Sequence, residues 1–183
     1  VRIATVRNAI LRARSLAVRR LWRGLKTFPD AGGWGVSALV SAAAVTLIGA
    51  ISAMGGLAQP GPPELSSLPL RALTVLVIPA LGEELAFRGL LVPDRTETAR
   101  PFASLVLATV LFTGWHGVET LFLSHAAAIF LRPDFLACAA VLGFGCGLMR
   151  WRTASVWPGV LLHWAVVVVW QTWLGGPGIA ALR

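Results

Sequence analysis

Long apolar runs separated by short polar or proline-glycine breaks pattern this chain. The stretch 1–28 interleaves Arg2, Arg7, Arg12, Arg14, Arg19, Arg20, Arg23 and Lys26 with Ile3, Val6, Ile10, Leu11, Leu16, Val18 and Leu21, as in a basic helix lying on an anionic membrane surface. Pro29 to Gly33 ends it, and the uncharged run from Trp34 to Leu57 has the length of a transmembrane helix. The loop Gln59 to Glu64 carries no basic residue, and a second span returns from about Leu68 to Leu91. A third runs from Pro101 to Val118. The apolar piece from Leu121 to Leu131 would reach only about 16 Å as a helix, so a re-entrant or interfacial segment is expected there. Phe135 to Met149 crosses next, with Gly143, Gly145 and Gly147 allowing close packing, and Ser155 to Leu174 forms the last span. The pattern predicts an all-α fold, a polytopic transmembrane helical bundle of five to six membrane segments around a polar cavity. Five crossings is the preferred count. The chain divides into a basic segment (1–30), a first span and outer loop (31–67), a core (68–174) and a short tail (175–183).

Composition agrees with a membrane assignment: 183 residues, 56% hydrophobic, with a mean hydropathy of +0.74, exceed what a soluble domain of this size carries. The net charge of +8 does not point to nucleic acid, because eight of the sixteen basic residues precede the first span. They read as a topology signal that places the N-terminus in the cytoplasm, in preference to a transit peptide, and the expected partner is the bilayer, with anionic lipid at the basic end. On this count the C-terminus is outside. Cys138 and Cys146 lie about 12 Å apart along one helix, too far for a disulfide, and are expected to pack.

The chemistry-bearing stretch is Gly82-Glu83-Glu84-Leu85-Ala86-Phe87-Arg88-Gly89. Ionisable groups inside an apolar span persist where they have a partner or work in a wet cavity. Glu84 and Arg88 can pair one turn apart, while Glu83 projects roughly 100° away and stays free. A structural clamp explains the pair but not Glu83. Pro79, Gly82 and Gly89 permit a bend. His116 and His163 also lie within apolar spans, and a carboxylate near an imidazole in a low-dielectric cavity can draw a proton from water. Phe112, one turn before His116, can wall that water from lipid. Counted from the inner ends, Glu83 and His163 are each roughly 12 Å deep and His116 about 10 Å deeper. Closing the site then requires the third helix to start below the surface or to break at Gly114 or Gly117. A metal held by Glu83, Glu84, His116 and His163 is the competing reading; with no H-E-x-x-H and no Cys/His cluster, no cofactor is expected. No G-x-S-x-G serine, no cysteine with an adjacent base and no phosphate loop is present.

In order, Glu83-Glu84-xxx-Arg88, Phe112-xxx-His116, a glycine-rich helix, the turn from Arg152 to Pro158 and His163 resemble the CPBP family. This family, also called Abi, comprises CAAX-protease-like intramembrane endopeptidases. The resemblance covers roughly Leu76 to Trp170. It implies a glutamate-dependent endopeptidase whose cavity opens toward the cytoplasmic side. Glu83 and His116 would activate water, Glu84 and Arg88 support the site, His163 stabilise the oxyanion, and Phe87 and Phe112 line the substrate cavity. A peptide or protein substrate and a bacterial inner membrane location follow from the same resemblance. One departure stands out: where the family carries His-xxx-Asn or His-xxx-Asp, this chain has Val167. The other readings are a non-catalytic member acting in bacteriocin immunity or as a scaffold, and a carrier using its intramembrane carboxylates as a proton relay.

Overall fold

The computed structural model describes residues 15–182; the earlier part of the basic stretch lies outside the described residues. The chain is helical over 15–26 (α1). There follow α2 (Ala31–Gly55), α3 (Leu68–Val75), a π-helix (Leu76–Gly89), α4 (Phe102–Glu119), a 3₁₀ helix (His125–Leu131), α5 (Pro133–Thr153), α6 (Trp157–Trp173) and a last 3₁₀ turn (Ile179–Leu182). No strand occurs among the described residues. Local chemistry marks the boundaries. Asp30 caps α2 by accepting from the Gly33 N–H at 2.7 Å, Pro133 and Pro158 sit in the first turns of α5 and α6, and Gly56 closes α2 at φ 72°, a conformation glycine adopts without strain.

α2, α4 and α5 are each long and apolar enough to cross a membrane; the expected total of five to six segments is not established by length and composition. α2 is apolar all round and exposes Leu39, Val45, Leu47 and Met54, as a lipid-facing helix does. The 121–131 segment forms no crossing helix. Ser124 caps a single short 3₁₀ helix there, its hydroxyl accepting from the Ala126 N–H.

α5 is the most buried of the three long helices. Its glycines set how near its neighbours come: a Cβ on Gly147 would lie 3.0 Å from Leu105, and one on Gly145 would lie 3.6 Å from Val40 and Ala44. The expected close packing is thus present against both α4 and α2. Both cysteines are buried and unpaired, Cys138 against the Ser52 hydroxyl at 3.4 Å and Cys146 near the Gly159 carbonyl at 3.6 Å.

The second span is not one regular helix. α3 runs straight on into the π-helix, with Leu76 helical at the junction (φ −61°, ψ −44°). Pro79 lies inside it, has no N–H to donate and crowds the preceding turn. Relief comes from widening to an i→i+5 register, in which the Leu90 N–H still donates to the Leu85 carbonyl at 3.1 Å, rather than from a simple bend. Such π segments recur at functional sites.

α1 is docked on the end of the bundle. Arg20 pairs with Glu97 at 2.7 Å and Arg23 with buried Asp94 at 3.1 Å. Buried Arg150 donates to the Arg20 carbonyl at 3.2 Å, and the Trp157 indole donates to the Leu25 carbonyl at 2.9 Å. The ends of the π-helix, α5 and α6 are thereby gathered under one basic cap.

Candidate active site

Glu83 and Glu84 leave the π-helix in different directions, as their adjacency requires. Glu84 turns inward and is fully buried with Arg88; their side chains meet at 3.0 Å between Oε1 and Nη1. The Arg88 guanidinium also lies 4.0 Å from the centre of the Phe112 ring, a cation–π contact strengthened by exclusion of water. His163 of α6 donates from Nδ1 to Glu84 Oε1 at 3.2 Å, and its Nε2 faces Glu83 Oε2 at 3.7 Å. The imidazole thus lies between the two carboxylates and is hydrogen-bonded to Glu84 alone.

Two glycines make room for this cluster. A Cβ on Gly159 would come within 2.7 Å of Glu84 Oε2, and one on Gly143 within 2.9 Å of Phe112 and 3.0 Å of Arg88. The glycines of α5 and α6 thus serve the polar centre as well as helix packing.

Glu83 instead faces a cavity of about 720 Å³. His116 joins it there without any break in α4, which is helical from Phe102 to Glu119. The depth mismatch expected from residue counting does not keep the two apart, because counting assumes helices parallel to the membrane normal and a regular rise, and the π-helix already departs from that rise. His116 Nδ1–H donates to the Phe112 carbonyl at 2.9 Å, since a carbonyl only accepts, and the neutral ring keeps its lone pair on Nε2. Phe112 meets the rings of His116 and His163 edge-on at 4.9 and 5.7 Å. Phe112 is among the residues that line the cavity. Phe87 does not line the cavity; it packs edge-on behind Phe112 at 5.5 Å.

A residue that sequence reasoning missed is Glu119. One ligating atom each of Glu83, His116 and Glu119 lie within 4.8 Å of one another. The signal was present in His116-x-x-Glu119, three apart and so on one helical face. The four residues proposed for a metal, in contrast, do not converge: Glu84 belongs to Arg88, and among the described residues the metal-capable group is the one containing Glu119.

The family model for Rce1-like proteins, the type II CAAX prenyl endopeptidases, matches residues 65–169, a span that holds every residue of this cluster. The chain belongs to the Rce1-like family. Comparison with curated proteins and with solved structures returned no match. Membership makes this an integral membrane protein of the CAAX-protease type, a hydrolase at family level. Within this Rce1-like chain, Val167 lies on the cavity wall with Val166, Val169 and Gln171, one turn beyond His163.

The cavity is lined by residues from the later halves of α2 and α6, together with Leu57, Phe130 and Phe135. Apart from Glu83, His116, Glu119, His163 and Gln171, its lining is overwhelmingly apolar. It occupies the half of the bundle away from Arg20, Arg23, Arg95, Arg150 and Arg152.

Proposed function

We propose that this Rce1-like chain is a membrane-embedded endopeptidase in which Glu83 and His116 activate a water molecule. The observation that carries the reading is the meeting of His116 and Glu83, with ligating atoms within 4.8 Å of one another, at the polar head of an otherwise apolar cavity, while Nδ1 of His116 is held by the Phe112 carbonyl. Water held between them loses a proton to the Glu83–His116 pair as its oxygen attacks the scissile carbonyl. That proton returns to the leaving amine when the tetrahedral intermediate collapses. His163, held at Nδ1 by Glu84, presents Nε2 toward the cavity and becomes a donor to the oxyanion when that nitrogen is protonated. Glu84 and Arg88 fix the histidine and take no part in proton transfer.

The substrate is a peptide segment apolar enough to sit between α2 and α6. With the basic end cytoplasmic in a bacterial inner membrane, the cavity faces the outer half of the bilayer, which favours a secreted or membrane-anchored peptide. No metal is needed for this route. Val167 supports a second reading, a non-catalytic binding or immunity protein, because an aliphatic side chain occupies the place of the family's usual asparagine or aspartate.

The test is a comparison of membrane and secreted protein termini in cells carrying the native chain or Glu83→Gln at matched abundance. A defined set of termini lost in the variant upholds the peptidase and names its substrates. Identical termini, with a phenotype on deletion of the protein, uphold the binding reading.

A further inference from the structure

Among the described residues, three side chains that line the cavity bury a polar atom without a hydrogen-bond partner: Glu83 at Oε2, Trp170 at Nε1 and Gln171 at Oε1. Glu83 belongs to the water-activating end. Trp170 and Gln171 follow His163 on α6 and lie about 10 to 12 Å farther along the helix. Trp170 packs against the apolar cluster that contains Leu57, Phe130 and Phe135. An indole N–H or an amide oxygen in such surroundings costs free energy until a partner reaches it. Both side chains are held in place before any partner arrives. The Trp170 ring meets Phe135 at 5.5 Å and lies so close to Gly176 that a Cβ there would collide with it. Arg71 fixes this end of α6 by donating to the Gln171 carbonyl at 3.2 Å and to the Thr172 hydroxyl at 3.0 Å.

We propose that Trp170 and Gln171 hold the backbone of an extended apolar peptide, about three residues from the bond that is cleaved. The one donor and one acceptor match the C=O and N–H that each non-proline residue of a peptide carries. Trp170 Nε1–H donates to a substrate carbonyl, and Gln171 Oε1 accepts from a substrate N–H. Extended chain rises about 3.3 Å per residue, so the distance from His163 to this pair corresponds to about three residues of substrate. A helical segment satisfies its own backbone groups and would leave both atoms unpaired. A lipid acyl chain could fill the apolar walls but has neither group to offer. The occupant is therefore a peptide unwound over this stretch, with its side chains against the apolar lining. The distance from the cut rests on the proposed peptidase; the binding itself does not.

The probe is a pool of short fluorescein-labelled peptides built from Ala, Val, Leu and Phe with a lysine at each end. It is offered in detergent to the full chain carrying Glu83→Gln, so that binding is read by anisotropy without turnover. The tightest binder is then remade with each peptide N–H in turn replaced by an ester oxygen. The expected result is one ester position that weakens binding about five- to tenfold. Gln171→Leu, added to the same chain, weakens the parent peptide by a similar factor and makes that ester harmless, a non-additivity that a purely structural role would not produce. If Gln171→Leu fails to fold, Trp170→Phe, which keeps an aromatic ring and removes the N–H, supplies the same comparison with the ester that weakens the facing carbonyl. No peptide bound, an ester scan without a sensitive position, or variant and ester effects that simply multiply overturns the proposal. The native chain should cut the parent peptide about three residues from the sensitive position, and a cut elsewhere overturns the placement. Ester-sensitive binding with no cleavage by the native chain removes the peptidase alone; cleavage that depends on Glu83 with a flat ester scan removes the subsite alone.

Discussion

Glu84 Oε1 is shared between Arg88 Nη1 at 3.0 Å and His163 Nδ1 at 3.2 Å, joining residues one helical turn apart to a residue 79 positions away. Neighbouring Glu83 is left to the cavity, so two adjacent carboxylates of one motif have different environments.

Removal of Arg88 strands a carboxylate with no exposed surface. Arg88→Met should therefore cost about 3–5 kcal/mol of stability, read as a fall in folded abundance and in the melting midpoint in detergent. Glu83→Gln should leave both near native and lower cleavage about 100-fold or more. Equal loss of abundance in the two variants would count against the division of labour.

The glycines next to the cluster should differ in tolerance. Gly159→Ala and Gly143→Ala push a methyl to within 2.7 Å of Glu84 and 2.9 Å of Phe112 and should each cost about 1–3 kcal/mol. Gly145→Ala meets only Ala44 and Val40 at 3.6 Å, ordinary contact, and gains helix propensity. It should be neutral or mildly stabilising in the same melting assay.

Acid should loosen the basic cap. Burial pushes Asp94 upward, but hydrogen bonds from the Thr96 hydroxyl and N–H and the charges of Arg23 and Arg150 outweigh it and hold the carboxyl below its ordinary value of 3.8. A carboxyl lowered on folding stabilises fully above its unfolded value, and that contribution is lost as pH falls through the folded one. The native protein should lose melting temperature below about pH 4, and Asp94→Asn, less stable at neutral pH, should lose less over the same interval.

Val167 sits one turn beyond His163 on the cavity wall. If a missing oxyanion donor limits the rate, Val167→Asn should raise kcat about tenfold or more, since one such donor is typically worth 100- to 1,000-fold. An unchanged or lower kcat in a protein of native abundance would mean that the third motif works differently in this chain.

The positions of the helices were legible because each rests on a local cause: an apolar run of membrane length, an Asp or Ser cap, a proline in the first turn. The Glu84–Arg88 pair was legible for the same reason, being one turn apart on its own helix. Pro79 announced an irregularity, but whether it became a bend or a π register depended on what packed around it. Glu119 was hidden because a carboxylate near the end of an apolar run looks like a boundary until another helix places Glu83 opposite it. Asp94 and Arg150, one in the loop after the π-helix and one near the end of α5, are buried beside α1, which contributes Arg23 and the Arg20 carbonyl as their partners. The sequence by itself determined which segments are helical, which end is basic and which ionisable groups are too costly to leave unpartnered in an apolar span. Only the tertiary structure decided which of those groups face each other and in which half of the bundle the cavity lies, because those relations are set by helix tilt and packing between residues far apart in the chain.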